Sequence, residues 1–128
     1  MNLLLDTHAF LWWLAGDTHL SAKARQAIAA TGNKTYVSAA SAWEIATKYR
    51  IGKLAHAAAL ATDIRGAIVS QAFQELPVTV AHAQGAGALS SGHKDPFDRM
   101  LVAQAMIEQM TFVSNESRFD AFAIKRLW

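Results

Sequence analysis

Two carboxylates three residues apart, Asp95 and Asp98, stand just before the apolar run Leu101-Val102-Ala103-Gln104-Ala105-Met106-Ile107. Pro96 follows Asp95 and helix formers follow Pro96, the pattern of an N-cap with proline at the first helical position. Asp98 then falls in the first turn, where the positive end of the helix favours the ionised form. This describes an ordinary helix start. It equally describes anionic oxygens held ready for a divalent cation, and three more acids bear on the choice. Asp6 ends the apolar run Leu3-Leu4-Leu5, and Glu116 follows Thr111-Phe112-Val113-Ser114-Asn115. Glu44 sits on the otherwise apolar face of a helix, where an ionised carboxylate is costly unless paired or bound to metal. Lys48, four residues on, is its ordinary surface partner. Asp6 likewise has a plain reading as the cap of the helix after it.

The elements that must position these acids are short and alternate in type. Leu3–Leu5 reads as a buried strand, with a helix over Ala9–Leu14 that Gly16 closes. Ser21 caps a helix running to Ala30, and Thr31-Gly32-Asn33-Lys34 turns into a strand, Thr35–Val37, with Ser38 at its end. A helix from Ala39 to Tyr49 or Arg50 carries Glu44. Residues from about Ala57 to Phe73 read as one long alanine-rich helix with a structural role. Glu75–Val78 reads as a strand weakened by Pro77. A helix from Val80 to about Leu89 leads into the polar loop Ser90–Lys94. The helix from Pro96 to about Gln109 is apolar nearly all round, hence buried. Thr111–Val113 is a further strand, and Phe122–Leu127 includes a last one. Strands alternating with helices predict a three-layer α/β/α sandwich around a central, short-stranded, mainly parallel sheet in a single domain, 1–128. A strand end is where such sheets place their sites. Asp6, Glu44, Asp98 and Glu116 should therefore reach one sheet edge.

Composition narrows the chemistry. There is no cysteine among the 128 residues, so disulfides, thiolate zinc sites and cysteine nucleophiles are excluded. A metal must sit on oxygen or imidazole; His82 and His93 could coordinate one, but nothing in their spacing demands it, while Thr7 and His8 could support the acids from behind, although a lone histidine is more often structural. Like-charged carboxylates sharing a pocket need raised pKa values or a counter-cation. The economical counter-cation is hard, Mg²⁺ or Mn²⁺, of the kind that activates water for displacement at phosphorus. If Asp6, Glu44, Asp95, Asp98 and Glu116 are gathered in one place, five acids remain against twelve Lys and Arg, a formal +7 for the rest of the surface. An acidic pocket in a basic surround suits an enzyme acting on a polyanion. The N-terminus has too short an apolar run, and no basic leader, for a signal peptide or membrane span, so a cytoplasmic location is expected.

Four blocks together resemble the PIN-domain family, and within it the VapC-type ribonuclease toxins of prokaryotic toxin–antitoxin pairs. They are Leu-Leu-Leu-Asp-Thr-His at the start, Ser-Ala-Ala-Ser-Ala-Trp-Glu-Ile-Ala-Thr-Lys at 38–48, Asp-Pro-Phe-Asp-Arg-Met-Leu-Val-Ala-Gln-Ala at 95–105, and Val-Ser-Asn-Glu-Ser-Arg-Phe at 113–119. The resemblance implies a metal-dependent endoribonuclease with Asp6, Glu44 and Asp98 on the cation and Glu116 assisting. The family usually has aspartate where this chain has Glu116. Asp95 is then a cap with an accessory role, and Thr7, Ser38 or Ser114 hydrogen-bond the acids. Lys48, Arg50, Lys53, Lys94 and Arg99 are candidates to contact RNA phosphates, although Arg99 could equally pair with an acid. The implied partners are an RNA, possible tRNA included, a second copy of the chain and a VapB-type antitoxin. Two alternatives stay open. A phosphotransferase using a strand-end aspartate as nucleophile needs a second aspartate where this chain has His8. A PIN-like module that binds RNA or a partner without cutting is kept in view by Glu116.

Overall fold

The computed structural model describes residues 1–90 and 92–128. Five strands form one sheet in the order β3-β2-β1-β4-β5, and every neighbouring pair is parallel. They are β1 (Asn2–Leu5), β2 (Lys34–Ser38), β3 (Gln74–Leu76), β4 (Thr111–Val113) and β5 (Arg126–Leu127). The helices are α1 (Thr7–Ala15), α2 (Ala22–Ala29), α3 (Ala39–Arg50), α4 (Ala58–Thr62), α5 (Ile64–Ser70), α6 (Val80–Ala88) and α7 (Pro96–Glu108).

Side-chain alternation along the strands splits the core in two. Leu3, Leu5, Val37 and Val113 pack with Phe10 of α1, Ala24 and Ile28 of α2, Ile45 of α3 and Ile68 of α5. Leu4, Phe112 and Leu76 face the other way, onto Leu101, Val102 and Ala105 of α7. Helices on both faces of a parallel sheet make the α/β/α sandwich that the strand–helix alternation predicts. The chain builds β1, β2 and β3 outward on one side, then returns to place β4 on the other side of β1. The crevice at the carboxyl ends of β1 and β4 is thus the topological switch point, where open α/β sheets bind ligands. Asp6 and Ser114 follow those two strands directly.

Local signals set most boundaries. Ser21 accepts the Ala24 amide, Ser38 the Ala40 amide, and Asp95 the amides of Phe97 and Asp98. Gly16 ends α1 with a left-handed φ of 62°, which costs a glycine nothing. α6 lies close on α7; a Cβ at Gly85 would stand 3.2 Å from the Cδ1 of Ile107.

Two expectations need correction. The single helix over 57–73 is instead a 3₁₀ turn, Ala55–Ala57, followed by α4 and α5. Asp63 breaks it: its backbone leaves the helical region at φ −151° and ψ 66°, and its side chain accepts the Gly66 amide, starting a new helix. The strand expected at 75–78 lies one residue earlier and stops at Leu76, ahead of Pro77, which has no amide to donate. Ser91, in the loop expected over Ser90–Lys94, lies outside the described residues.

A buried polar network locks this end of the sheet. Ser38 Oγ donates to Gln104 Oε1 at 2.5 Å, and Gln104 Nε2 donates to the Pro77 carbonyl at 3.1 Å. His82 Nδ1 accepts the Thr79 amide at 3.0 Å, which leaves Nε2 to donate to Glu108 Oε1 at 3.0 Å. No described helix is long and apolar enough to cross a membrane.

Candidate active site

Asp6 stands at the N-cap position of α1, yet its carboxylate makes no capping bond. It accepts instead from Ser114 Oγ at 2.8 Å, across the β1–β4 crevice, and is buried. Burial is the largest influence on it. The Ser114 hydrogen bond opposes that influence, the charges of Asp98 and Glu116 add to it, and the carboxyl is pushed up to about 7. Asp98, delivered by the first turn of α7, is also buried and raised by burial, against a hydrogen bond from His93 and with Asp95, Glu116 and Glu44 adding repulsion. Its Oδ2 lies 3.0 Å from His93 Nε2 and 3.1 Å from Arg118 Nη2.

Glu44 is buried at 4% exposure in the middle of α3. Its Oε2 accepts from Lys48 Nζ, while its Oε1 is buried with no hydrogen-bond partner. The i+4 lysine therefore answers only half of this carboxylate. Burial works to lower Lys48, but its bond to Glu44 and the charges of Glu44, Asp95 and Asp98 outweigh that and raise it. Glu116 follows β4; its amide donates to Ser114 Oγ at 3.2 Å, and its Oε2 lies 2.5 Å from Arg118 Nε. Asp6, His8 and Glu116 each offer a ligand atom, all within 4.8 Å of one another. The His8 ring stacks on Trp12, centroids 5.6 Å apart, which fixes its place beside the acids.

The remaining candidates divide. Asp95 is the α7 cap, accepting the Phe97 and Asp98 amides at 2.9 and 3.2 Å, and so sets the position of Asp98. Thr7 Oγ1 donates to Ser41 Oγ at 2.9 Å, tying α1 to α3 rather than bonding an acid. Ser38, expected to bond the acids, turns to Gln104 of α7 and the Ala40 amide because it caps α3. Arg50, Lys53 and Lys94 are exposed, and Lys48 is half-buried. Arg99 differs from the phosphate contact expected of it: its guanidinium donates to the carbonyls of Ala86 and Leu89 at 2.8 and 2.7 Å and of His93 at 2.9 Å. It closes the C-terminus of α6, whose last carbonyls have no intrahelical partner. Arg118, which touches two of the acids, was not anticipated; its only signal was its place two residues after Glu116.

A groove of about 640 Å³ lies between β2, α5 and β3, lined by Val37, Ile64, Ile68 and Leu76 and by none of Asp6, Glu44, Asp98 and Glu116. Volume does not select the site; buried charge does. The orphaned Glu44 Oε1, the raised Asp6 and Asp98, and a donor set of carboxylates with one imidazole fit a divalent cation.

The PIN domain family model matches residues 3–125. The chain belongs to the PIN-domain family. Among curated proteins none matches by sequence. Among solved structures, VapBC2 from Rickettsia felis, bound to a promoter DNA fragment, matches with a TM-score of 0.68 at 12% identity, covering 98% of this chain and 97% of that one. VapC20 of Mycobacterium tuberculosis, described as a sarcin–ricin loop cleaving toxin, gives a TM-score of 0.66 at 19% identity, covering 95% of each chain. A toxin–antitoxin complex from Klebsiella pneumoniae gives 0.63 at 17% identity, covering 94% of this chain and 92% of that one. These likenesses establish that the PIN fold extends over nearly the whole chain.

Proposed function

We propose that this PIN domain is a metal-dependent endoribonuclease, the toxin of a toxin–antitoxin pair, acting in the cytoplasm on RNA. The observation that carries the reading is the four-acid cluster. Asp6 and Glu116 offer ligand atoms within 4.8 Å of each other, Asp6 feels the charge of Asp98, Asp98 that of Glu44, and the Asp6 and Asp98 carboxyls are raised by burial. A protein gains no stability from such a cluster; a site for a cation does. The likeness to the solved toxin–antitoxin proteins supports the same reading, as does that to VapC20, described as a sarcin–ricin loop cleaving toxin.

Asp6, Asp98 and Glu44 are the proposed holders of the cation, with Glu116 and His8 beside Asp6. A bound Mg²⁺ or Mn²⁺ would supply an activated water and charge neutralisation at the phosphate. The chain's own work is positional. Asp95 fixes the first turn of α7, and with it Asp98. Ser114 orients Asp6. Lys48 holds Glu44 and lies on the same α3 end as the exposed Arg50, with Lys53 just beyond; these and Lys94 are the proposed contacts to the RNA backbone. The proposed protein partners are a second copy of the chain and a VapB-type antitoxin.

The chemistry is tested by the ends of the fragments. Hydrolysis by an activated water leaves 5′-phosphate and 3′-hydroxyl ends and stops on chelation, whereas 2′,3′-cyclic phosphate ends would contradict it. The second reading, an RNA- or partner-binding PIN module without cleavage, rests on Glu116 standing where the family usually has aspartate. It predicts RNA retention on a filter with intact RNA after prolonged incubation in Mn²⁺.

A further inference from the structure

Arg118 lies in the 3₁₀ turn Ser117–Ala121 that follows β4. Its Nη2 is 3.1 Å from Asp98 Oδ2, and its Nε is 2.5 Å from Glu116 Oε2. One guanidinium therefore bridges two acids that come from different elements, α7 and the segment after β4. Its Cζ also sits 5.5 Å from the ring centroid of Phe119, a fully buried residue that fixes the turn. The side chain itself is 54% exposed. It can leave the acids by rotating into water, without disturbing the core.

We infer that Arg118 is a resident counter-cation, holding Asp98 and Glu116 together and yielding their oxygens when a divalent cation enters. The inference rests on the metal-dependent reading above. A hard cation bonds carboxylate oxygen at about 2.0–2.2 Å. Nitrogens already seated against the same oxygens stand in that space, so arginine and ion compete for them. The arginine fork matches two carboxylates better than a lysine point charge does. Without it, Asp98 and Glu116 face each other with less compensation, and their repulsion raises the demand for a cation. Arg118 thus sets the threshold of metal at which the site fills, and on filling it is released at the mouth of the site.

The test is Mn²⁺ binding to the purified full-length chain without antitoxin, read from the electron paramagnetic resonance signal of the unbound ion, for the parent, Arg118→Gln, Arg118→Lys and Asp98→Asn. Breaking a partly exposed pair predicts that Arg118→Gln binds Mn²⁺ about three- to tenfold more tightly. Arg118→Lys should fall between the two. After chelation, Arg118→Gln should melt below the parent, with the gap closing at saturating Mn²⁺. Equal or weaker binding by a folded Arg118→Gln overturns the inference. So does an Arg118→Lys that matches the parent while Arg118→Gln binds tighter, because that pattern needs only a diffuse field. If Asp98→Asn abolishes binding and Arg118→Gln leaves it unchanged, the metal site stands and the counter-cation role falls. If the parent binds no Mn²⁺, both fall.

Discussion

Ser114 Oγ donates to Asp6 Oδ2 at 2.8 Å, joining residues 108 apart in sequence at the crevice between β1 and β4. The bond favours the ionised carboxylate, while burial and the neighbouring acids favour the protonated one and prevail. The acid that the fold places most centrally is therefore one that resists ionising without a cation.

This has a pH signature. Asp6 has an ordinary value of 3.8 and a folded value of about 7. Below the lower value both folded and unfolded chains are protonated, and stability is at its full level. As pH rises between the two, the unfolded chain ionises first and stability is lost, with no further loss from this group above the higher value. Chelator-treated protein should therefore melt at falling temperature from about pH 4 to pH 7. Asp98, raised in the same direction, contributes with the same sign. Asp6→Asn should flatten the slope and raise the melting temperature at pH 8 by about 5 °C. An unchanged slope in that variant would refute the assignment. Asp17 and Asp120, held low by His19 and Arg126, act in the opposite sense at lower pH.

Lys48 is the only described hydrogen-bond partner of Glu44, whose other oxygen has none. Lys48→Ala leaves a buried carboxylate uncompensated and should cost about 2 kcal/mol in chelator-treated protein, since the pair is partly open to solvent. Saturating Mg²⁺ should recover most of that loss. Denaturant melts with and without the ion measure both quantities, and a loss untouched by Mg²⁺ would separate Glu44 from the metal site.

Arg99 predicts a structural phenotype where a phosphate-contacting arginine would give a binding one. Arg99→Ala strips partners from carbonyls at Ala86, Leu89 and His93 and should cost about 2–3 kcal/mol. Arg99→Lys should rescue little, lacking the fork. Chemical denaturation reads the loss directly; full stability with weakened RNA binding would return Arg99 to the phosphate-contacting set.

Gln104 is fully buried and bonds both the Ser38 hydroxyl and the Pro77 carbonyl. Gln104→Leu keeps the size but orphans both and should cost about 2 kcal/mol. Ser38→Ala orphans the Gln104 Oε1 acceptor and the Ala40 amide that Ser38 caps, so it should cost a similar amount, about 2 kcal/mol, and leave metal affinity unchanged. Calorimetric titration of the Ser38 variant checks the second point, since a loss of metal affinity would put Ser38 back among the acids.

Where the sequence was legible, the signal was local. Asp95 with Pro96, Ser21 and Gly16 each mark a helix end by chemistry that acts within a few residues, and each does so in the fold. The parallel sheet was legible from strand–helix alternation, and with it the strand ends after which Asp6 and Glu116 stand. Asp63 was missed because alanine-rich helical periodicity runs straight through it, although an aspartate three residues before Gly66 carries a cap signal of its own. The partners of Ser38, Arg99 and Arg118 were not legible at all. A hydroxyl or guanidinium bonds whatever tertiary packing brings within about 3 Å, and that distance has no trace in local spacing.

The measurement that bears most directly on the account is cleavage of a structured RNA pool, tRNA included, by the purified chain in Mg²⁺ or Mn²⁺, with Asp98→Asn prepared identically. The account predicts cutting by the parent that a chelator abolishes, and at least a hundredfold less, as an order of magnitude, by the variant. Equal cutting by both would contradict it, as would intact RNA from a folded, antitoxin-free parent.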